Sequence, residues 1–127
     1  PESEVVLPRI KSDFLQLLIS LNNGSLDKYN LIIDDLATAT VFLVSGGYPE
    51  DYQKSKQIYG LDSVTESIVF HAGAVKKDDK TITSGGRVLA VTSSAETVDK
   101  ALKKSYSSIE KISFENMNYR KDIGFDL

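Results

Sequence analysis

Three segments rich in β-branched and aromatic residues follow one another between residues 67 and 93, with almost nothing between them. "SIVFHAGAV" (67–75) and "KTITSG" (80–85) are joined by the polar turn "KKDDK", and "GRVLAVTS" (86–93) begins where the second ends. Each reads as a strand. Parallel neighbours need a crossover of a dozen or more residues, so a turn this tight leaves antiparallel pairing. No other feature of the chain narrows its fold as much.

A fourth strand is predicted at "TATVFLVS" (38–45), ended by Gly46-Gly47. The near-continuous apolarity of "VFLV" suggests cover on both faces. Two helices flank these strands. In "LPRIKSDFLQLLISLNNG" (7–24), Ile10, Phe14, Leu17, Leu18 and Leu21 recur at helical spacing. Pro8 suits the first turn and Asn23-Gly24 the stop. In "SAETVDKALKKSYSSIEKI" (94–112) the apolar face runs through Val98, Ala101, Leu102, Tyr106 (or Ser105), Ile109 and Ile112. Ser93 and Glu96 have capping-box spacing. Residues 47–61 read as loop with one short helical turn, and 113–127 as an irregular tail. The order helix, strand, loop, hairpin, strand, helix, tail gives an α+β fold: a small antiparallel sheet with helices on one face.

At 127 residues the chain has the size of one domain. Its formal charge is -3, and no Lys/Arg run exceeds two residues. Nucleic-acid binders normally carry a basic face, so no nucleic-acid partner is expected. The longest apolar-leaning run, residues 37–44, is far too short for a membrane span. There is no cysteine and a single histidine, His71. That removes disulfides, thiol nucleophiles and His/Cys metal clusters. No catalytic residue and no metal ligand is assigned.

The chemistry-bearing words are short. In "SGGR", Ser84, Gly85 and Gly86 could offer convergent backbone N–H groups to an anion, and Arg87 could grip it with a forked pair of hydrogen bonds. The same residues also fit a plain turn or bulge at the start of a strand, with Arg87 in solvent. His71 reads as a structural histidine on a strand. "SGGY" (45–48) is a strand-ending turn or a second anion seat. Arg120 and Asp122 fall in the tail word "YRKDIG". Arg9 and Lys11 could reach a ligand or belong to a surface helix. Alone, none of these names an enzyme.

Together they are more specific. The ordered set "PESEVVLPRIKSDFLQLL", "DLATATVFLVSGGYPEDYQKSKQIYGL", "VFHAGAV", "TSGGRVLAVT" and "YSSIEKISFENMNYRKDIGF" resembles the C-terminal part of the phosphoribosylamine–glycine ligase (glycinamide ribonucleotide synthetase) family of ATP-grasp ligases. The resemblance spans essentially the whole chain. It implies a cytoplasmic carbon–nitrogen ligase of purine biosynthesis that joins glycine to 5-phosphoribosylamine with conversion of ATP to ADP and phosphate. It also implies that this chain is a C-terminal fragment, inactive alone. Residues 1–24 would be the end of the ATP-grasp core, and 25–127 the ligase C-terminal domain. The partners would be the missing N-terminal ATP-grasp lobes. ATP and Mg²⁺ (or Mn²⁺) would serve the full-length enzyme, with no cofactor expected on this fragment.

By the same resemblance Arg87 is the clamp for the ribonucleotide phosphate, with Ser84, Gly85 and Gly86 as donors. Arg9 and Lys11 would line the substrate side, His71 and Gly73 a site wall, and Arg120 and Asp122 the pocket or the tail's fastening. Glu50 and Ser55 stand where the family usually has glycines, and Ala74 where threonine is usual. The alternative is a stand-alone, non-catalytic sugar-phosphate-binding module of similar fold.

Overall fold

The computed structural model describes residues 2–125. The leader is not one helix. A helical turn, α1 (Ser3–Val6), runs into a 3-10 turn, Leu7–Arg9, with Pro8 in its first positions. Ile10 then becomes extended (φ −78°, ψ 113°) and bridges Ile33. A new helix, α2 (Phe14–Asn22), starts from Asp13, whose carboxylate accepts the Gln16 N–H at 3.0 Å. This cap restarts the helix at Phe14, so Ile10 does not share its apolar stripe. The expected stop is present: Gly24 takes a left-handed φ of +71°.

Five strands form two antiparallel sheets rather than one. β1 (Ala37–Val44), β5 (Arg87–Ala95) and β2 (Ile68–His71) lie in the order β1-β5-β2. β3 (Ala74–Lys77) and β4 (Lys80–Thr83) form a separate two-stranded sheet, and β4 is also bridged at Ile82 by Gln57. The expected single strand 67–75 therefore breaks at Ala72-Gly73. Both of those N–H groups donate to the Val88 carbonyl, at 3.0 and 3.1 Å. Gly73 also packs against Gly85: a Cβ on Gly73 would lie 2.4 Å from the Arg87 carbonyl oxygen. Only a bare backbone fits that crossing. Between β3 and β4 the chain reverses through Asp78 and Asp79, both left-handed, as a two-residue hairpin requires.

The core lies between the three-stranded sheet and α3 (Val98–Ile109). Ala39, Val41 and Leu43 of β1 face the same way as Leu89 and Val91 of β5, and pack on Ala101, Leu102 and Ile109. Fully burying a leucine or valine stabilises by roughly 1.5–3 kcal/mol, so this layer is the main source of cohesion. Within it runs a chain of hydroxyls: Ser93 meets Ser67 at 2.7 Å and Ser105 at 2.9 Å, and Ser67 meets Ser108 at 2.6 Å.

That chain explains why Ser93 is not the helix cap. Its hydroxyl is committed within the sheet–helix layer, and β5 runs on to Ala95. Thr97 caps α3 instead, accepting the Lys100 N–H. The buried member of the Ser105–Tyr106 pair is Ser105, and Ile112 is buried beyond the helix end. Helices do not keep to one face. α1 lies across the other face of the sheet, where its Glu4 carbonyl accepts from Thr92 (3.0 Å) and Thr40 (3.3 Å). Among the described residues no helix is long and apolar enough to cross a membrane.

Candidate functional site

The register of β1 on β5 decides where the first cation of the site points. Leu43 sits opposite Leu89, but Val44 sits opposite Arg87, so Val88 is the extra residue of a β-bulge. Simple alternation would send Arg87 to the α3 side with Leu89. The bulge turns it to the opposite side, with Phe42 and Val44. There its guanidinium carbon lies 5.7 Å from the centre of the Phe42 ring, within cation–π range.

The glycines before Arg87 act as a mount. The N–H groups of Ser84 and Gly85 both donate to the Gly73 carbonyl, at 2.7 and 3.2 Å. The anion seat expected from Ser84, Gly85 and Gly86 therefore narrows, because two of its donors are spent inside the protein. Ser45 fixes the same turn from the other side. Its N–H donates to the Gly86 carbonyl (2.8 Å) and its hydroxyl to the Gly85 carbonyl (3.0 Å). At Gly86 the Tyr48 ring occupies the space of a side chain: a Cβ would lie 2.0 Å from its Cδ2.

The tail closes the arrangement. Ile112 and Phe114 are buried in the core. Asn118 exchanges both backbone hydrogen bonds with Val44, at 2.8 and 3.0 Å. The Tyr106 hydroxyl donates to the Arg120 carbonyl at 3.0 Å. Between β1, Arg87 and the tail lies a cleft of about 470 Å³. Phe42, Val44, Tyr48, Arg87, Tyr119 and Arg120 are among the residues that line it.

Arg120 makes a forked contact with Asp122, with both hydrogen bonds 3.0 Å long. These bonds hold the Asp122 carboxyl below its usual range. Glu2 is lowered too, chiefly by its own backbone amide, with a smaller contribution from the Arg87 charge. Two guanidiniums at the rim of an aromatic-lined cleft suit an anionic group carried on a less polar body.

The other expected site residues lie elsewhere. His71 pairs with Leu89 on β2 and is exposed. It is absent from the residues lining the cleft, as are Arg9 and Lys11. Arg9 donates to the Asp34 carbonyl at 3.0 Å, and Lys11 pairs with the Asp34 carboxylate at 2.7 Å. The Lys11 hydrogen bond is the main cause of a lowered Asp34 pKa. So the structure brings Arg87 and Arg120 together and leaves Arg9, Lys11 and His71 apart. Phe42 was not singled out by sequence reasoning, and Tyr48 entered it only as the end of "SGGY". The available signal was an aromatic residue alternating with the core residues Val41 and Leu43, and a tyrosine beside paired glycines. Among the described residues no three His, Asp or Glu side chains come together as a metal cradle.

Residues 38–126 match the family described as "Phosphoribosylglycinamide synthetase, C domain". The chain is 42% identical over 123 residues to the phosphoribosylamine–glycine ligase of Caldanaerobacter subterraneus, an alignment covering 97% of this chain and 30% of that protein. It is 41% identical over 128 residues to the bifunctional purine biosynthetic protein purD of Dictyostelium discoideum, covering 98% of this chain and 16% of that protein. Among solved structures, phosphoribosylamine–glycine ligase from Thermotoga maritima superposes with a TM-score of 0.83 at 32% identity, over 96% of this chain and 30% of that one. The chain thus spans about 30% of the length of the single-function ligases it matches.

Proposed function

The chain belongs to the phosphoribosylglycinamide synthetase C-domain family, and from that premise we propose that it is the C-terminal part of a cytoplasmic, ATP-dependent phosphoribosylamine–glycine ligase. In such a ligase ATP phosphorylates the glycine carboxylate. The amine of 5-phosphoribosylamine then displaces phosphate, giving glycinamide ribonucleotide, ADP and phosphate. This chain's share of the work is binding and orientation. Arg87 grips the ribose 5-phosphate at the cleft, and Arg120, its fork held by Asp122, lines the same cleft. Holding the phosphate fixes where the amine can lie, and such positioning is a large part of ligase catalysis.

The observation that carries this reading is the bulge at Val88, which aims Arg87 into the cleft that Arg120 lines. Residues 1–24 are assigned to the end of the ATP-grasp core and 25–127 to the C-terminal domain. The two are stitched together in this chain by the Ile10–Ile33 bridge and by the hydrogen bonds onto the Glu4 carbonyl. ATP and Mg²⁺ (or Mn²⁺) are assigned to the lobes outside this chain. His71, Arg9 and Lys11 are kept as supports, not as ligand contacts.

The test is ADP release by the full-length ligase with ATP and Mg²⁺, with glycine and phosphoribosylamine supplied together and each omitted in turn. Release that needs both supports the reading. A folded protein that binds ATP yet releases no ADP would leave the chain a sugar-phosphate-binding module.

A further inference from the structure

Arg87 is an exposed arginine, and an exposed arginine samples many rotamers. A long flexible side chain that must be ordered for each ligand loses affinity to that ordering. The structure supplies a means of ordering it in advance. The bulge fixes the backbone direction, and the guanidinium carbon then rests 5.7 Å from the centre of the Phe42 ring. Phe42 is itself held. It lines the cleft from the middle of β1, and its partner in the register is Ala90. A residue as small as alanine there leaves the space above the ring to Arg87. Phe42 has no polar atom, so it cannot hydrogen-bond an anion itself and can act on one through the arginine it supports.

We propose that Phe42 is a positioning residue for phosphate binding: its ring face keeps the Arg87 guanidinium over β1, at the cleft that both residues line. This rests on the assignment of Arg87 as the clamp for the ribose 5-phosphate, and the experiment separates the two. A planar cation lying on a ring keeps its in-plane donors available, so stacking and forked hydrogen bonding occur together. The ring's role is therefore specific to its face. Tyrosine and tryptophan share that face, whereas leucine and methionine have a comparable apolar bulk without it.

The measurement uses the full-length ligase, with steady-state KM and kcat for each substrate in Arg87→Ala, Phe42→Leu, Phe42→Met and Phe42→Tyr. The expected result for Phe42→Leu and Phe42→Met is a KM for phosphoribosylamine raised about two- to fivefold, the size of an exposed cation–π contact. KM for glycine and for ATP should stay put, and Phe42→Tyr should keep the KM for phosphoribosylamine at the wild-type value. In the Arg87→Ala background Phe42→Leu should have no further effect on KM. Thermal melting of each variant guards against misfolding; if leucine lowers the melting temperature, the methionine variant carries the comparison. If Arg87→Ala raises this KM and neither Phe42→Leu nor Phe42→Met does, the positioning role is wrong and the clamp stands. If Arg87→Ala leaves it unchanged, the clamp itself is wrong, and the role of Phe42 falls with it.

Discussion

In the proposed reading Arg87 carries more functional weight than any other single side chain. Its value lies in the planar fork, which a lysine cannot reproduce. Arg87→Lys in the full-length ligase should therefore raise KM for phosphoribosylamine. Hydrogen bonds to charged groups contribute about 1.5–3 kcal/mol, so an increase of roughly tenfold or more is expected. An unchanged KM in steady-state assays would remove the clamp. Arg120 offers a second residue-scale test, through pH. Its hydrogen bonds lower the pKa of Asp122 from the ordinary 3.8. The folded state thus favours the ionised carboxylate: the fork is complete above 3.8 and comes apart as pH falls through the lowered value. A carbon-detected NMR titration should place the Asp122 midpoint below 3.8, and Arg120→Ala should return it upward. Both side chains are exposed, so little change in overall stability should accompany it.

At the scale of elements, α3 and the start of β5 make the clearest predictions. Thr97→Ala removes the α3 cap and should cost about 1 kcal/mol in a urea titration. Ser93→Ala should cost a comparable amount for a different reason, since it strips a partner from the buried hydroxyl of Ser105 and from the half-buried one of Ser67. Gly73→Ala presses a methyl onto the Arg87 carbonyl. It should destabilise by roughly 1–3 kcal/mol, the usual range for overpacking, and disturb the mount of Arg87. β1, β4, β5 and α3 were legible because their signals are local: runs of β-branched and aromatic residues, a tight turn, a 3.6-residue period. The split of residues 67–75 into β2 and β3 was not, because its cause is a crossing with Gly85, far along the chain. The break before α2 was missed because Asp13 caps in the middle of an otherwise unbroken apolar period. Arg87 could be picked from "SGGR", but its direction depends on a bulge that no local pattern shows.

The molecule as a whole is uneven. The β1-β5-β2 sheet and α3 share a sealed core, whereas α2 shows water much of its apolar side. Leu15 is 63% and Leu21 54% exposed, with Phe14, Leu18 and Ile19 exposed as well. Leu31, Ile32 and Ile33 add to this apolar exposure, each about half uncovered. Single exposed leucines are ordinary, but this many on one short helix and the segment after it suit a surface that meets another. Matched ligases are about three times as long as this chain, and their additional length is the candidate cover. The chain studied alone should therefore self-associate, with a sedimentation coefficient that rises with concentration. Leu15→Glu combined with Leu21→Glu should suppress that rise. It should leave the melting temperature nearly unchanged, because neither side chain supports the core. A wild-type chain that stays monomeric up to the highest soluble concentration would mean that the group is too dispersed to act as one surface. It would also remove the physical argument for assigning residues 1–24 to a neighbouring lobe.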